Sequence, residues 1–278
     1  MFNFKACLLL TALSISPGAG SAEPLETAAS TLKIGGTGGA LGTLKIVGQA
    51  FQQIQPQATV VIVPSLSSGG GIKALQAGAL DLAVIGRPLA DAERGPGMMT
   101  TEYARTPFVF ATAVRTQVSA ITLGELLGIY SGERTSWPDG RPLRLVLRPE
   151  ADSDTRTLKN LSPAMSQAVN LAHARPGMNI ATTDQASADS LESIPGALGT
   201  TTLGLIISEK RALQALALNG VTPSLKTLAN GEYPYYVTFS LVSGPKPRPL
   251  AQQFLAFLRS AAGQEILEKN GQWLPPQK

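Results

Sequence analysis

Between Thr31 and Gly86 the chain alternates twice between β-branched runs and helical periods, and this alternation constrains its fold more than any other feature. Thr31–Gly36, TLKIGG, reads as a short strand. Leu44, Val47, Ala50, Phe51 and Ile54 then recur at helical spacing until Pro56 ends the pattern. Ala58–Leu66 predicts a second strand, Gly70–Gly78 a short helix and Leu80–Gly86 a third strand. Parallel strands need a crossover long enough to hold a helix, so this order predicts an α/β fold with a parallel sheet.

The later sequence continues in the same style. Thr106–Val114 is an apolar strand. Thr122 and Glu125 have capping-box spacing at the head of a helix. Leu143–Pro149 is a strand, and Ser153 or Asp154 is expected to cap the helix that follows. IPGALGTTTLGLIIS reads as a small-residue loop and strand, and YPYYVTFSLV as a return strand. RPLAQQFLAFLRSAAGQEIL carries one amphipathic helical stripe before a Pro-rich end. Trp137 is expected to pack under the SWPDG turn, and Trp273 to pin the C-terminal segment.

Composition narrows the chemistry. With 278 residues, 44% of them hydrophobic, the chain can bury one large core or two lobes. Lys5, the apolar run Ala6–Ile15 and the small residues Gly20, Ser21 and Ala22 read as a signal peptide, residues 1–22, cleaved after Ala22. The expected location is therefore periplasmic. Cys7 is the only cysteine and lies inside that segment, so the mature chain is expected to have no disulfide, thiolate metal site or thiol nucleophile. The single histidine, His173, has no carboxylate or histidine at metal-ligand spacing, and no metal or cofactor is expected. The net charge of +4 comes without a basic run, so nucleic acid is not an expected partner. A monomer is expected.

Three strand-to-helix turns share one construction: Gly38-Gly39-Ala40, Ser68-Gly69-Gly70-Gly71 and Ser153-Asp154-Thr155. Helix starts present unpaired N–H groups and a partial positive charge, which suit an anion. In open α/β sheets such turns gather at the C-terminal strand ends, where ligands bind. Arg148 stands five residues before Ser153 and offers a planar fork for an oxyanion.

In GTGGALG, SSGGGIKALQAGALDLAVIGRPL, TLGELLGIYSGERTSWPDGRPLRLVLR, IPGALGTTTLGLI, NGEYPYYVTFSLV and FLRSAAGQEILEKNGQWLP, the chain resembles the phosphate-binding proteins of bacterial ABC transporters, a branch of the type 2 periplasmic solute-binding proteins. The resemblance runs in order over nearly all of the mature chain. It implies two α/β lobes around a ligand cleft: residues 31–111 and 239–278 as one lobe and 112–238 as the other. It implies capture of a small oxyanion, phosphate first, for an ABC transporter permease, with no catalysis. By the same resemblance, Gly39, Ala40 and Leu41 offer backbone N–H groups, Ser68 a hydroxyl and N–H, Arg148 the guanidinium, and Ser153 and Thr155 hydroxyls.

Four departures bear on the ligand. Gly86 stands where well-known members carry an aspartate that accepts the proton of hydrogen phosphate. Asp154 replaces the middle glycine of the third loop, one extra residue separates Arg148 from Ser153, and Ala40 replaces a common hydroxyl residue. Asp154 is the sequence's candidate for the lost acceptor. The alternative is a sensor or accessory protein on the same fold, or a binder of sulfate, molybdate or tungstate. Read from sequence alone, loss of the Arg148 side chain should abolish binding and leave the fold intact.

Overall fold

The computed structural model describes residues 30–275; the segment read as a signal peptide, with Cys7, lies outside them. The first half alternates as expected: β1 (Ser30–Gly36), α1 (Gly38–Ile54), β2 (Ala58–Ile62), α2 (Ser67–Gln76), β3 (Leu82–Ile85) and the long β4 (Met99–Ala113). There follow β5 (Ala120–Ile121), α3 (Leu123–Ser131), β6 (Arg144–Leu147), α4 (Ser153–Lys159), α5 (Pro163–Ala174), β7 (Asn179–Ile180), α6 (Asp184–Ser193), β8 (Ala197–Thr202) and α7 (Leu203–Ser208). The chain closes with β9 (Leu213–Ala215), β10 (Ala217–Leu218), α8 (Leu225–Ala229), β11 (Tyr236–Ser243), α9 (Pro249–Arg259) and α10 (Ala261–Lys269).

The main sheet runs β2-β1-β3-β11-β4-β8-β6-β7, with β9 paired to β4. β1 is parallel to β2 and β3, and β6 is parallel to β7 and β8. β11 and β4 run antiparallel through the middle and join two α/β halves. β4 serves both halves. Met99–Pro107 pairs with β11, whereas Phe108–Ala111 pairs with β8 and Ala111–Ala113 with β9. The partners change at Pro107, and the Phe108 N–H donates to Tyr235 O at 3.0 Å, tying the outward crossing to the return crossing.

The sequence pattern places the start of this strand at Thr106, seven residues late. Met99 to Glu102 are exposed or half-buried, and only Tyr103 and Ala104 of the early stretch are buried. A strand half open to solvent does not need an apolar run. The single stripe read for the last helix is also broken. Ser260 is extended at φ −69° and ψ 163°, so it ends α9 and caps α10, its hydroxyl accepting from the Gly263 N–H at 3.2 Å. A Cβ at Gly263 would lie 2.2 Å from Phe257 O, and glycine there permits the second helix to start so close to the first. Thr122 and Glu125 form the expected capping box. Trp137 is buried and donates to Gly196 O at 3.0 Å, and Trp273 bridges to Arg105.

The glycine-rich start of α2 has a packing origin. A Cβ at Gly71 would fall 2.7 Å from the Gly36 Cα, so α2 lies directly on β1. Gly36 itself has φ +143° and leaves no room for a side chain over Val84 O. Replacing Gly71 with valine should destabilise the protein by about 1–3 kcal/mol through overpacking. Urea unfolding measures this, and an unchanged midpoint would show that α2 can lift from β1 freely.

Candidate functional site

β6 ends at Leu147 and delivers Arg148 into the interior, where it is 3% exposed. Its Nη1 donates to Ala181 O at 2.7 Å. Its Nη2 lies 2.9 Å from Asp152 Oδ2 and 3.5 Å from Asp184 Oδ2, and its Nε–H has no partner. Burial opposes the charge on this guanidinium, but Asp184, Asp152 and Asp154 outweigh it and raise its pKa.

The helix after Arg148 is capped by Asp152, not by Ser153 or Asp154 as the sequence predicts. Asp152 takes the extended cap conformation and accepts from the Asp154 N–H at 3.0 Å through Oδ1, while Oδ2 faces Arg148. One carboxylate thus caps α4 and holds the arginine. Ser153 is half-buried at the first helical position, and its carbonyl accepts from Thr157 Oγ1 at 3.0 Å. Thr155 is buried, and its hydroxyl donates to Arg148 O at 3.1 Å, so it fixes the loop. Asp154 is 4% exposed and accepts from Thr200 Oγ1 at 3.2 Å. Burial first, then the charges of Asp152 and Asp184, push its pKa up to about 8.

Asp184, the first residue of α6, completes the cluster. Its Oδ2 accepts from the Gly38 N–H at the start of α1 at 2.9 Å. Burial raises its pKa, and Asp152 adds to the rise while Arg148 opposes it. Gln185 Nε2 donates to Gly38 O at 3.1 Å, so α6 and α1 are stitched together by two adjacent residues. Without a Cβ, Gly39 lets Phe239 and Thr202 Oγ1 come close, a Cβ there lying 3.4 Å from each. Ala40 is fully buried, and its N–H donates to Thr37 O at 3.3 Å. Leu41 turns toward a groove of about 880 Å³ that is also lined by Lys45, Thr183, Gln185, Ser208 and Glu209.

Ser68 and Gly86 meet on the neighbouring wall. Ser68 is buried, and its Oγ accepts from the Gly86 N–H at 3.1 Å. A Cβ at Gly86 would lie 3.2 Å from Val237 Cγ1 and 3.6 Å from both Phe239 and Thr37, so apolar side chains pack closely around this glycine. The adjoining Arg87 is held by Glu93 at 2.6 Å, and the Asp152 charge also reaches it.

The structure therefore joins Arg148, Asp154 and Thr155 to Gly39 through Asp184, and Ser68 to Gly86. Phe239 touches both groups. Sequence reasoning missed Asp152, Asp184 and Thr200, and named Gly38 only as part of the first glycine turn. Thr183-Asp184 was a readable signal, since Thr183 caps α6 by accepting from the Ala186 N–H at 3.0 Å. Among the described residues, no group of three or more His, Cys, Asp or Glu is placed to hold a metal ion, and no helix is long and apolar enough to cross a membrane.

A family model described as a PBP superfamily domain matches residues 21–262. The chain belongs to the PBP superfamily. Among relatives of this superfamily member, the phosphate-binding protein PstS of Bacillus subtilis is 24% identical over 268 residues, covering 92% of this chain and 84% of that protein. PstS of Borreliella burgdorferi is 22% identical over 220 residues, covering 77% of this chain and 79% of its own. A Clostridium perfringens chain solved with bound phosphate, and described as a phosphate ABC transporter substrate-binding protein, superposes with a TM-score of 0.75 at 18% identity, over 89% of this chain and 100% of that one. A phosphate-binding protein from Stenotrophomonas maltophilia superposes at 0.66 and 17% identity, over 88% and 90%. At such identities the likeness shows the fold, the two-lobed α/β architecture of this superfamily.

Proposed function

We propose that this chain is an extracytoplasmic solute-binding protein that captures a small oxyanion, phosphate foremost, and presents it to an ABC transporter permease. One observation carries the reading. A buried guanidinium, Arg148, lies where the starts of α1, α4 and α6 converge, in the fold that the phosphate-binding relatives share. Helix starts and an arginine fork complement an oxyanion without a metal. The chemistry is binding: the Thr155 hydroxyl is committed to Arg148 O, and the Ser68 hydroxyl faces a backbone N–H rather than a base. The lobes divide along β4 and close by a hinge motion over the cleft.

A second reading, drift toward another oxyanion or a sensor role, has its own support. Three carboxylates surround the single buried guanidinium, and Gly86 supplies no side-chain acceptor. Titration calorimetry of the purified chain decides between them. Saturable one-to-one binding of inorganic phosphate, with sulfate unable to displace it, is the expected result. Heat from sulfate or molybdate alone would support the second reading, and heat from none of the three would remove the anion site.

A further inference from the structure

We infer that Asp184 is a built-in competitor for the anion cradle, so that an oxyanion gains its full contacts only when the Asp184 carboxylate gives up its place against Gly38 and Arg148. The inference rests on the oxyanion reading above and specifies how that site is controlled. An incoming oxyanion needs two kinds of donor here, a free N–H at the start of α1 and the Arg148 fork. Asp184 Oδ2 takes the Gly38 N–H at 2.9 Å and shares Arg148 Nη2, from 3.5 Å, with the nearer Asp152 at 2.9 Å. The residue is 7% exposed, and the neighbouring Arg148 Nε–H, in a side chain 3% exposed, is left without an acceptor. The Asp184 carboxylate thus sits where the Gly38 N–H and part of Arg148 Nη2 would otherwise face an anion, and the Nε–H is a donor to spare.

Asp184 also joins the starts of α6 and α1, 146 residues apart and one in each α/β half. Gln185 reinforces the bridge by reaching Gly38 O and Glu209 Oε1. The residue is therefore a clasp between the halves as well as a competitor.

The charges that face Asp184 set the pH sign. Arg148 at the end of β6 attracts it. Asp152 and Asp154, at the cap and in the first turn of α4, repel it. α1 contributes N–H groups and no charged side chain in its first turn. Glu209 at the end of α7 reaches it only through Gln185, and Arg87 beyond β3 is spent on Glu93. Protonation removes the competing charge, and burial makes protonation easier than for a free aspartate. Phosphate binding should therefore tighten as the pH falls from 8 to 6, by up to about tenfold per pH unit if one proton is taken up.

The test uses inorganic phosphate and the Asp184→Asn variant, which keeps an acceptor for the Gly38 N–H but loses the charge. Calorimetry at pH 6, 7 and 8, in buffers of different ionisation enthalpy, reads affinity and proton uptake together. Comparing variant with wild type cancels the ionisation of phosphate itself. The expected result is binding at least about tenfold tighter in the variant at pH 8, with a flatter pH profile and less proton uptake. Equal or weaker binding with the same pH profile would overturn the inference and leave the phosphate reading standing. Should neither protein bind phosphate at any pH, the phosphate reading falls, and small-angle scattering then judges the clasp. Asp184→Ala more expanded than wild type in phosphate-free buffer would support it, and superimposable profiles would overturn it. Asp184→Ser provides a second variant for the same measurements if the asparagine protein does not fold.

Discussion

Replacing Arg148 with leucine should cost the protein its fold stability as well as its ligand. The guanidinium is the cation in contact with Asp152 and Asp184, and its charge also acts on Asp154. Removing one partner from a buried ionic cluster strands the other charges, which typically costs about 3–5 kcal/mol. Asp152 would keep its bond to the Asp154 N–H, whereas Ala181 O would lose its donor altogether. The loss should be larger at pH 8 than at pH 5, because protonated carboxyls no longer need the cation. Arg148→Lys retains the charge but cannot reach Ala181 O and two carboxylates at once, so it should recover part of the stability and little of the affinity. Urea unfolding and phosphate calorimetry on both variants read the two effects separately. An Arg148→Leu protein within about 1 kcal/mol of wild type would mean that the arginine serves the ligand alone, as the sequence taken by itself suggested.

That difference shows what was legible and why. The alternation of β-branched runs and helical periods placed β1 to β3 and their helices, because each of those elements buries a face that its own residues announce. Arg148, Asp154 and Thr155 were legible as one helix start because they are neighbours in sequence. Asp184 was readable only as another helix start, because its role depends on α6 approaching Gly38 from 146 residues away. The same distance effect hid the role of Gly71. In sequence it resembles a bare ligand loop; in the fold its missing side chain makes room for β1. The early part of β4 was invisible for a different reason, being a half-exposed strand whose pairing with β11 needs no apolar pattern. The break at Ser260 lay inside a continuous stripe, and only the cap geometry reveals it.

Asp154 makes the second large prediction, a stability that falls as pH rises through the neutral range. An unfolded aspartate titrates near about 3.9. In the fold, burial and the neighbouring carboxylates push Asp154 up to about 8. Between those values the folded protein holds a proton that the unfolded chain has released. Stability therefore declines as pH rises, with a slope approaching about 1.4 kcal/mol per pH unit, and levels off above the folded pKa. Asp184 is shifted in the same direction and adds to the decline. Glu93 and Glu125 act oppositely, being held low by hydrogen bonds from Arg87 and Arg134, but they lose stability only as pH falls through the acid range. Asp154→Asn keeps an acceptor for the Thr200 hydroxyl and cannot ionise, so its urea-unfolding free energy should vary less from pH 5 to 8 and exceed that of wild type at pH 8. A pH dependence from pH 5 to 8 that is the same in wild type and in the asparagine variant would show that Asp154 is ionised in the fold. The consequence reaches the ligand. While Asp154 holds its proton, the cradle around Arg148 carries one fewer negative charge and has an O–H to donate, so the pH that favours the fold also favours an anion in the site.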